Sequence, residues 1–294
     1  MQTLDALKLI DSLKRAETAH KGDNGKVLLI GGAASMAGAL VLAAKASLYS
    51  GAGWTILMMF DAASAHLVSD QPELMVHDAH LMSPHEALQA IQPDVMAIGP
   101  GMGQGPLAQE WLLAALHWQG PLIIDADGLN ILASKGELLN ILRTRSHPTT
   151  LTPHPGEAAR LLSCTAEAVQ CDRAEAISKL TQLTQCHVVL KGHRSLIMSV
   201  GLDIHECMSG NAGMAVGGMG DVLTGCIAAL AAQGLHHGLD LWQATCLGVE
   251  LHARAADMML EEGLGPIGMT PSELTVYLRK VLNQHLGSSP KTST

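Results

Sequence analysis

Six short apolar runs set along the chain restrict its fold more than any other feature: Lys26 to Ile30, Trp54 to Met59, Asp94 to Ile98, Pro121 to Ile124, Thr149 to Thr152 and His187 to Leu190. Trp54 to Met59 is apolar almost throughout, as strands covered on both faces are. Between the runs lie stretches with helical character: Ala37 to Tyr49, closed by Ser50-Gly51, then Pro84 to Ile91, Leu107 to Trp118 and Thr165 to Leu183. This alternation predicts an α/β fold, a three-layer α/β/α sandwich around a mostly parallel sheet. A Rossmann dinucleotide site needs GxGxxG in the first strand-to-helix turn, and GGAASMAG does not supply it. Leu4, Leu7, Ile10 and Leu13, three residues apart, predict an amphipathic N-terminal helix within residues 1–18. Leu196 to Val200 pairs with His187 to Leu190 as a hairpin, and Asp203 to Met208 reads as an edge strand. Thr270-Pro271-Ser272-Glu273 is a capping box that opens a helix to about His285, and Gly287 to Thr294 is a polar tail expected to fray. No linker or repeat divides residues 1–294, so a single domain is expected.

The chemistry concentrates in Asn211 to Gly225, NAGMAVGGMGDVLTG. Glycines and one acid precede an apolar run, Val222 to Ala232, that reads as a buried helix. Gly217, Gly218 and Gly220 remove the side chains that would keep backbone N–H groups from converging on an anion. The first helical turn adds unpaired N–H groups and a positive dipole end. A carboxylate in a phosphate cradle repels the phosphate unless it takes a proton from a hydroxyl attacking it, which makes Asp221 a candidate general base. The plainer alternative is a tight turn with Asp221 capping its own helix.

Other residues gather at strand ends. GPGMGQG after Asp94 to Ile98 carries Gly101, Met102 and Gly103 and lets backbone approach a ligand. Asp125 and Asp127 in DADGLN could orient a loop or a Mg²⁺-water shell. His154 and Glu157 lie in PHPGE, and Lys191-Gly192-His193-Arg194-Ser195 follows a strand where backbone and cations can meet a nucleotide. A second long apolar helix, Leu241 to Leu260, contains His252 and Arg254, which are given structural roles.

Composition excludes some partners. The formal charge is −9 with no basic run, so nucleic acid and anionic membrane surfaces lack an electrostatic footprint. No apolar stretch reaches the roughly 18 residues of a membrane span, and nothing at the N-terminus reads as a secretory signal. Six cysteines form no CxxC pair, which suits reduced thiols in a cytoplasm.

HKGDNGKVLLIGG, AGAL, GPGMG, DADGLN, TPHPGE, VVLKG and NAGMAVGGMGDVLTG, in this order across nearly the whole chain, resemble the ADP/ATP-dependent NAD(P)H-hydrate dehydratases of the ribokinase-like superfamily. The resemblance implies a metabolite-repair lyase. A nucleotide phosphorylates the hydroxyl of hydrated NADH or NADPH, and loss of phosphate restores the ring double bond. It implies Asp221 as base with the backbone of Gly218 to Gly220 around the phosphoryl. Ala39, Gly101, Met102, Gly103, His154 and Asp221 would contact the hydrated dinucleotide, and Lys191, Gly192, His193, Arg194, Ser195 and Gly220 the nucleotide. It further implies Mg²⁺, ADP as the preferred donor over ATP, a homo-oligomer such as a tetramer, and an NAD(P)H-hydrate epimerase as a separate partner, this chain being too short to carry that domain. Met219 replaces a small or hydroxyl residue of many ribokinase-like proteins, and His193-Arg194 is bulkier than the family's usual residues. A small-molecule kinase and a non-catalytic nucleotide binder of the same fold remain alternatives.

Overall fold

A computed structural model describes residues 1–288. Among these, ten strands form one sheet: β1 (Gln2–Thr3), β2 (Lys26–Gly31), β3 (Trp54–Met59), β4 (Met75–Asp78), β5 (Val95–Ile98), β6 (Leu122–Ile124), β7 (Thr149–Leu151), β8 (His187–Leu190), β9 (Leu196–Met198) and β10 (His205–Glu206). Their order is β1-β10-β9-β8-β7-β6-β5-β2-β3-β4. Of these strands, β9 alone runs antiparallel to its neighbours, closing a hairpin with β8 and pairing with β10 on its other side.

Period-two alternation sends successive strand residues to opposite layers. Val27, Leu29, Leu57, Met59, Val95 and Ala97 enter one core, while Leu28, Ile30, Ile56, Met58, Met96 and Ile98 enter the other. The first core is covered by α1 (Ala37–Tyr49) and by three later helices of the chain. The second is covered by α2 (Pro84–Ile91), α3 (Pro106–His117), α4 (Ala126–Ser134), α5 (Gly136–Arg143), α6 (Pro155–Leu162), α7 (Ala166–Cys171) and α8 (Arg173–Thr184). The later helices are α9 (Met219–His237), α10 (Leu241–Glu261) and α11 (Pro271–Ser288). The predicted three-layer sandwich is therefore observed.

Several local expectations change. The N-terminal segment is a 3₁₀ helix, Leu7–Leu13, rather than an α-helix, and its apolar spacing of three is the 3₁₀ period. The stretch read as one helix from Thr165 is broken at Asp172, whose side chain accepts from the Glu175 N–H at 2.9 Å and starts α8 afresh. Thr270 caps α11 with half of the predicted box, its Oγ1 accepting from the Glu273 N–H at 3.3 Å and donating to Glu273 Oε2 at 2.7 Å, and α11 runs on through Ser288. Of the tail expected to fray, residues 289–294 lie outside the described residues. Among the described residues no helix is long and apolar enough to cross a membrane.

The helix that carries the glycine cradle is buried on nearly every side, from Val222 to Gly234. It approaches α1 most closely at Gly225, where a Cβ would stand 1.8 Å from the Ala43 carbonyl oxygen. That contact is backbone against backbone and cannot yield by a rotamer change. Gly225→Ala is expected to lower stability by about 1–3 kcal/mol, as overpacking does, measured as a fall in the urea midpoint at constant m-value.

Candidate active site

The parallel strands deliver their C-terminal ends to one edge of the sheet. There a cavity of about 750 Å³ is lined by Asp125 from the end of β6, His154 at the N-cap of α6 and Glu157 in its first turn, residues 191–195 from the β8–β9 hairpin, and Gly218, Gly220 and Asp221 from the start of α9.

The cradle owes its shape to Gly218. Its φ of 98° is left-handed, and a Cβ would stand 2.6 Å from Leu42 Cδ1, so conformation and space both exclude a side chain. Gly218 is the N-cap of α9, and among the described residues no side chain caps this end. The first-turn N–H groups are thus left for a ligand. Asp221 sits inside that turn rather than at the cap, which removes the self-capping alternative. Met219 turns its side chain into the core.

Behind the cradle lies a network of charge. Lys191 Nζ donates to Asp125 Oδ1 at 2.7 Å and stands 3.9 Å from Glu157 Oε2. Asp125, 1% exposed, accepts on its other oxygen from Thr224 Oγ1 at 2.7 Å. Burial opposes the charge on Lys191, but Asp125 and Glu157 outweigh it and hold the ammonium above its ordinary value. Glu157 is raised by burial. Asp221 is pushed up to about 7, by burial first and by Asp125 second, against the lowering pull of Lys191.

His154 has a structural role alongside its place in the cavity wall. Its Nδ1 accepts from the N–H groups of Gly156 at 3.0 Å and Glu157 at 3.3 Å, capping α6. Nε2 therefore carries the proton, 3.3 Å from Glu157 Oε1. Burial and then Lys191 lower its pKa, so the ring is neutral near pH 7.

Ala39 and residues 101–103 do not line the cavity. They form a neighbouring group at the ends of β2 and β5: the Ala33 N–H donates to the Gly101 carbonyl at 2.6 Å, and the Gly103 N–H donates to Asp127 Oδ2 at 2.9 Å. Met102 is 2% exposed, so only its backbone could meet a ligand. Asp125 accepts from Lys191 and Thr224 while Asp127 accepts from the Gly103 N–H and Asn130, so the two carboxylates serve different partners. Among the described residues no group of three or more His, Cys, Asp or Glu could hold a metal ion.

Three supporting residues have no signal in the sequence that marks their role. Arg173, the first residue of α8, donates to the carbonyls of Leu190, His193 and Arg194 and so shapes the hairpin turn. Asp257 of α10 accepts from the Gly210 N–H at 2.8 Å and the Asn211 side chain at 3.1 Å, anchoring the approach to the cradle. His252, expected to be structural, is 6% exposed and lowered to about 4 by burial, yet it borders the cavity. No local pattern marks the first two, since their partners are carbonyls or distant loop atoms.

A mostly parallel sheet between two helical layers, with a glycine cradle and a carboxylate at its C-terminal edge, defines a ribokinase-like protein. The NAD(P)H-hydrate dehydratase family model matches residues 27–280. The ADP-dependent (S)-NAD(P)H-hydrate dehydratase of Neisseria meningitidis serogroup B is 38% identical over 274 residues, covering 92% of this chain and 89% of its own. The bifunctional NAD(P)H-hydrate repair enzyme Nnr of Escherichia coli is 38% identical over 288 residues, covering 96% of this chain, which spans only 52% of that longer protein. Among solved structures, the ADP/ATP-dependent NAD(P)H-hydrate dehydratase of Bacillus subtilis, co-crystallised with ATP and Mg²⁺, superposes with a TM-score of 0.83 at 26% identity, covering 97% of this chain and 98% of that one. The chain belongs to the NAD(P)H-hydrate dehydratase family.

The raised Asp221 has two measurable consequences. A carboxyl group acts as a base only when ionised, so for the candidate base Asp221 kcat/KM is expected to fall on the acid side with a midpoint near pH 7, where an ordinary carboxylate would titrate near 3.8. A carboxyl group raised by folding stabilises the fold fully below its unfolded value, and that contribution is lost as pH rises through about 7. Asp221→Asn should therefore be more stable than the parent above pH 7, by roughly 1–3 kcal/mol, with the gap closing towards pH 4 in denaturant titrations.

Proposed function

We propose that this protein is a nucleotide-dependent (S)-NAD(P)H-hydrate dehydratase with ADP as its donor. The observation that carries the reading is Asp221, raised to about 7, in the first turn of an uncapped helix whose glycine backbone faces the cavity. A hydroxyl presented there loses its proton to Asp221 as its oxygen bonds to the β-phosphorus of ADP, and AMP departs with the electrons of the broken P–O bond. The N–H groups of the α9 first turn steady the charge on the transferring phosphoryl. Phosphate then leaves with the electrons of the ring C–O bond, a proton leaves the neighbouring ring carbon, and the double bond returns. The sum is hydrated NADH and ADP giving NADH, AMP, phosphate and a proton.

The nucleotide lies along residues 191–195, whose turn is held by Arg173, and the hydrated dinucleotide reaches from His154 and Asp221 towards Ala39 and residues 101–103. Mg²⁺ accompanies the nucleotide phosphates. The preference for ADP follows from the names of relatives and from crowding: ATP must lodge one more phosphate between the cradle and the hairpin, closer to Asp221. The chain works as one domain in the cytoplasm as a homo-oligomer, with an NAD(P)H-hydrate epimerase as its functional partner.

The test supplies hydrated NADH with ADP or with ATP. Recovery of reduced-nicotinamide absorbance together with phosphate release is expected, with the higher specificity constant for ADP. A phosphorylated product without that absorbance would identify a kinase instead. Asp221→Asn should lower kcat by about 10²- to 10⁴-fold while leaving the calorimetric affinity for ADP nearly unchanged, because the amide keeps the size of the side chain and loses only the base.

A further inference from the structure

The placement of Lys191 is unusual for a residue whose task is only to touch a nucleotide. Its side chain is 18% exposed and lies beside two carboxylates that are themselves 1% and 5% exposed, Asp125 and Glu157. Of the three N–H groups of the ammonium, one is bonded among the described residues, to Asp125 at 2.7 Å. Glu157 at 3.9 Å is too far for a hydrogen bond. The nitrogen stands 3.0 Å from where a Cβ on Gly220 would be, with Asp125 Oδ2 3.8 Å from the same point, so it lies against the backbone of the anion cradle with donors to spare.

The same arrangement bears on the divalent ion. Asp125 has one oxygen on Lys191 and the other on Thr224. Glu157 has one oxygen on the His154 N–H at 2.8 Å and the other facing the His154 ring. A divalent ion ligated by either carboxylate would share oxygens already engaged by these groups and sit beside a positive ammonium, and among the described residues no group of three or more His, Cys, Asp or Glu could hold a metal ion. The protein residues around the cradle therefore do not fit a resident metal.

We infer that Lys191 is the resident cation of the phosphoryl site: held by Asp125, it neutralises the transferring phosphoryl from the protein side, and a divalent ion enters only on the nucleotide. The ammonium spans the carboxylate behind it and the phosphoryl in front of it. Its spare donors add to the N–H groups of the α9 first turn, as fixed positive groups do in phosphoryl transfer. Gly220 is then needed for a second reason, since any side chain would press on the Lys191 ammonium. This inference rests on the phosphoryl-transfer reading above.

Two measurements test it. Mn²⁺ titrated into the purified protein and followed by electron paramagnetic resonance should remain free without nucleotide and be bound in proportion to ADP when ADP is added. One Mn²⁺ bound per chain without nucleotide, and lost in Asp125→Asn, would overturn the inference. Lys191→Met, checked for folding by circular dichroism, should lower kcat by about 10²-fold or more with a less than tenfold change in ADP affinity, and Lys191→Arg should recover part of the rate. If Lys191→Met does not fold, Lys191→Arg alone must show lowered kcat with near-normal ADP affinity. A normal kcat with a raised KM for ADP in the folded variant would make Lys191 a nucleotide contact and nothing more. Absence of turnover in the parent protein would count against the dehydratase reading, while the Mn²⁺ titration, which needs no turnover, still decides where the metal is held.

Discussion

The Asp125 carboxylate is the point on which the site depends. It ends β6, and its two oxygens accept from Lys191 at the end of β8 and from Thr224 one turn into α9. A single buried anion thus ties the sheet, the hairpin and the cradle helix to one another. Breaking such a pair from one side leaves an uncompensated charge in the interior, which is far more costly than the net worth of the pair. The same carboxylate also raises Asp221. Holding the site together and raising the Asp221 carboxyl are therefore one electrostatic arrangement.

Strands covered on both faces show themselves as apolar runs, and β2, β3, β5, β6, β7 and β8 are accordingly visible in the sequence to within a residue or so. β4, Met75–Asp78, is not, because it is an edge strand whose half-exposed residues carry no run. The helices α4 and α5 are hidden for a different reason. Each is short, and the break between them at Lys135 interrupts the apolar period before it can stand out. In the N-terminal segment the apolar spacing of three belongs to the tighter helix that forms there, so the signal is present and its period, read strictly, names the right structure.

At the site, local signals and distant pairings divide the result. Glycines before an apolar helix announce a cradle from neighbouring letters alone, and Asp221, Gly218 and Gly220 do lie together on the cavity wall with Lys191 and His154. The bond between Lys191 and Asp125 joins residues 66 apart and that between Thr224 and Asp125 residues 99 apart, separations at which a single sequence holds no pattern. His154 can be placed at the strand-to-helix junction from its neighbours, but its use of Nδ1 as a helix cap is a matter of ring orientation.

Arg173 places the shape of the hairpin turn under the control of a residue outside it. Its guanidinium grips main-chain carbonyls, atoms that every amino acid supplies, while the turn's own demands fall on Gly192 and Arg194, whose φ values of 151° and 55° are positive. His193 and Arg194 thus sit on a frame held in part from elsewhere, and both line the cavity. A chain built in this way separates scaffold from display: His193 can be exchanged without touching the bonds that set the turn, whereas Arg194, at a φ of 55°, tolerates fewer replacements.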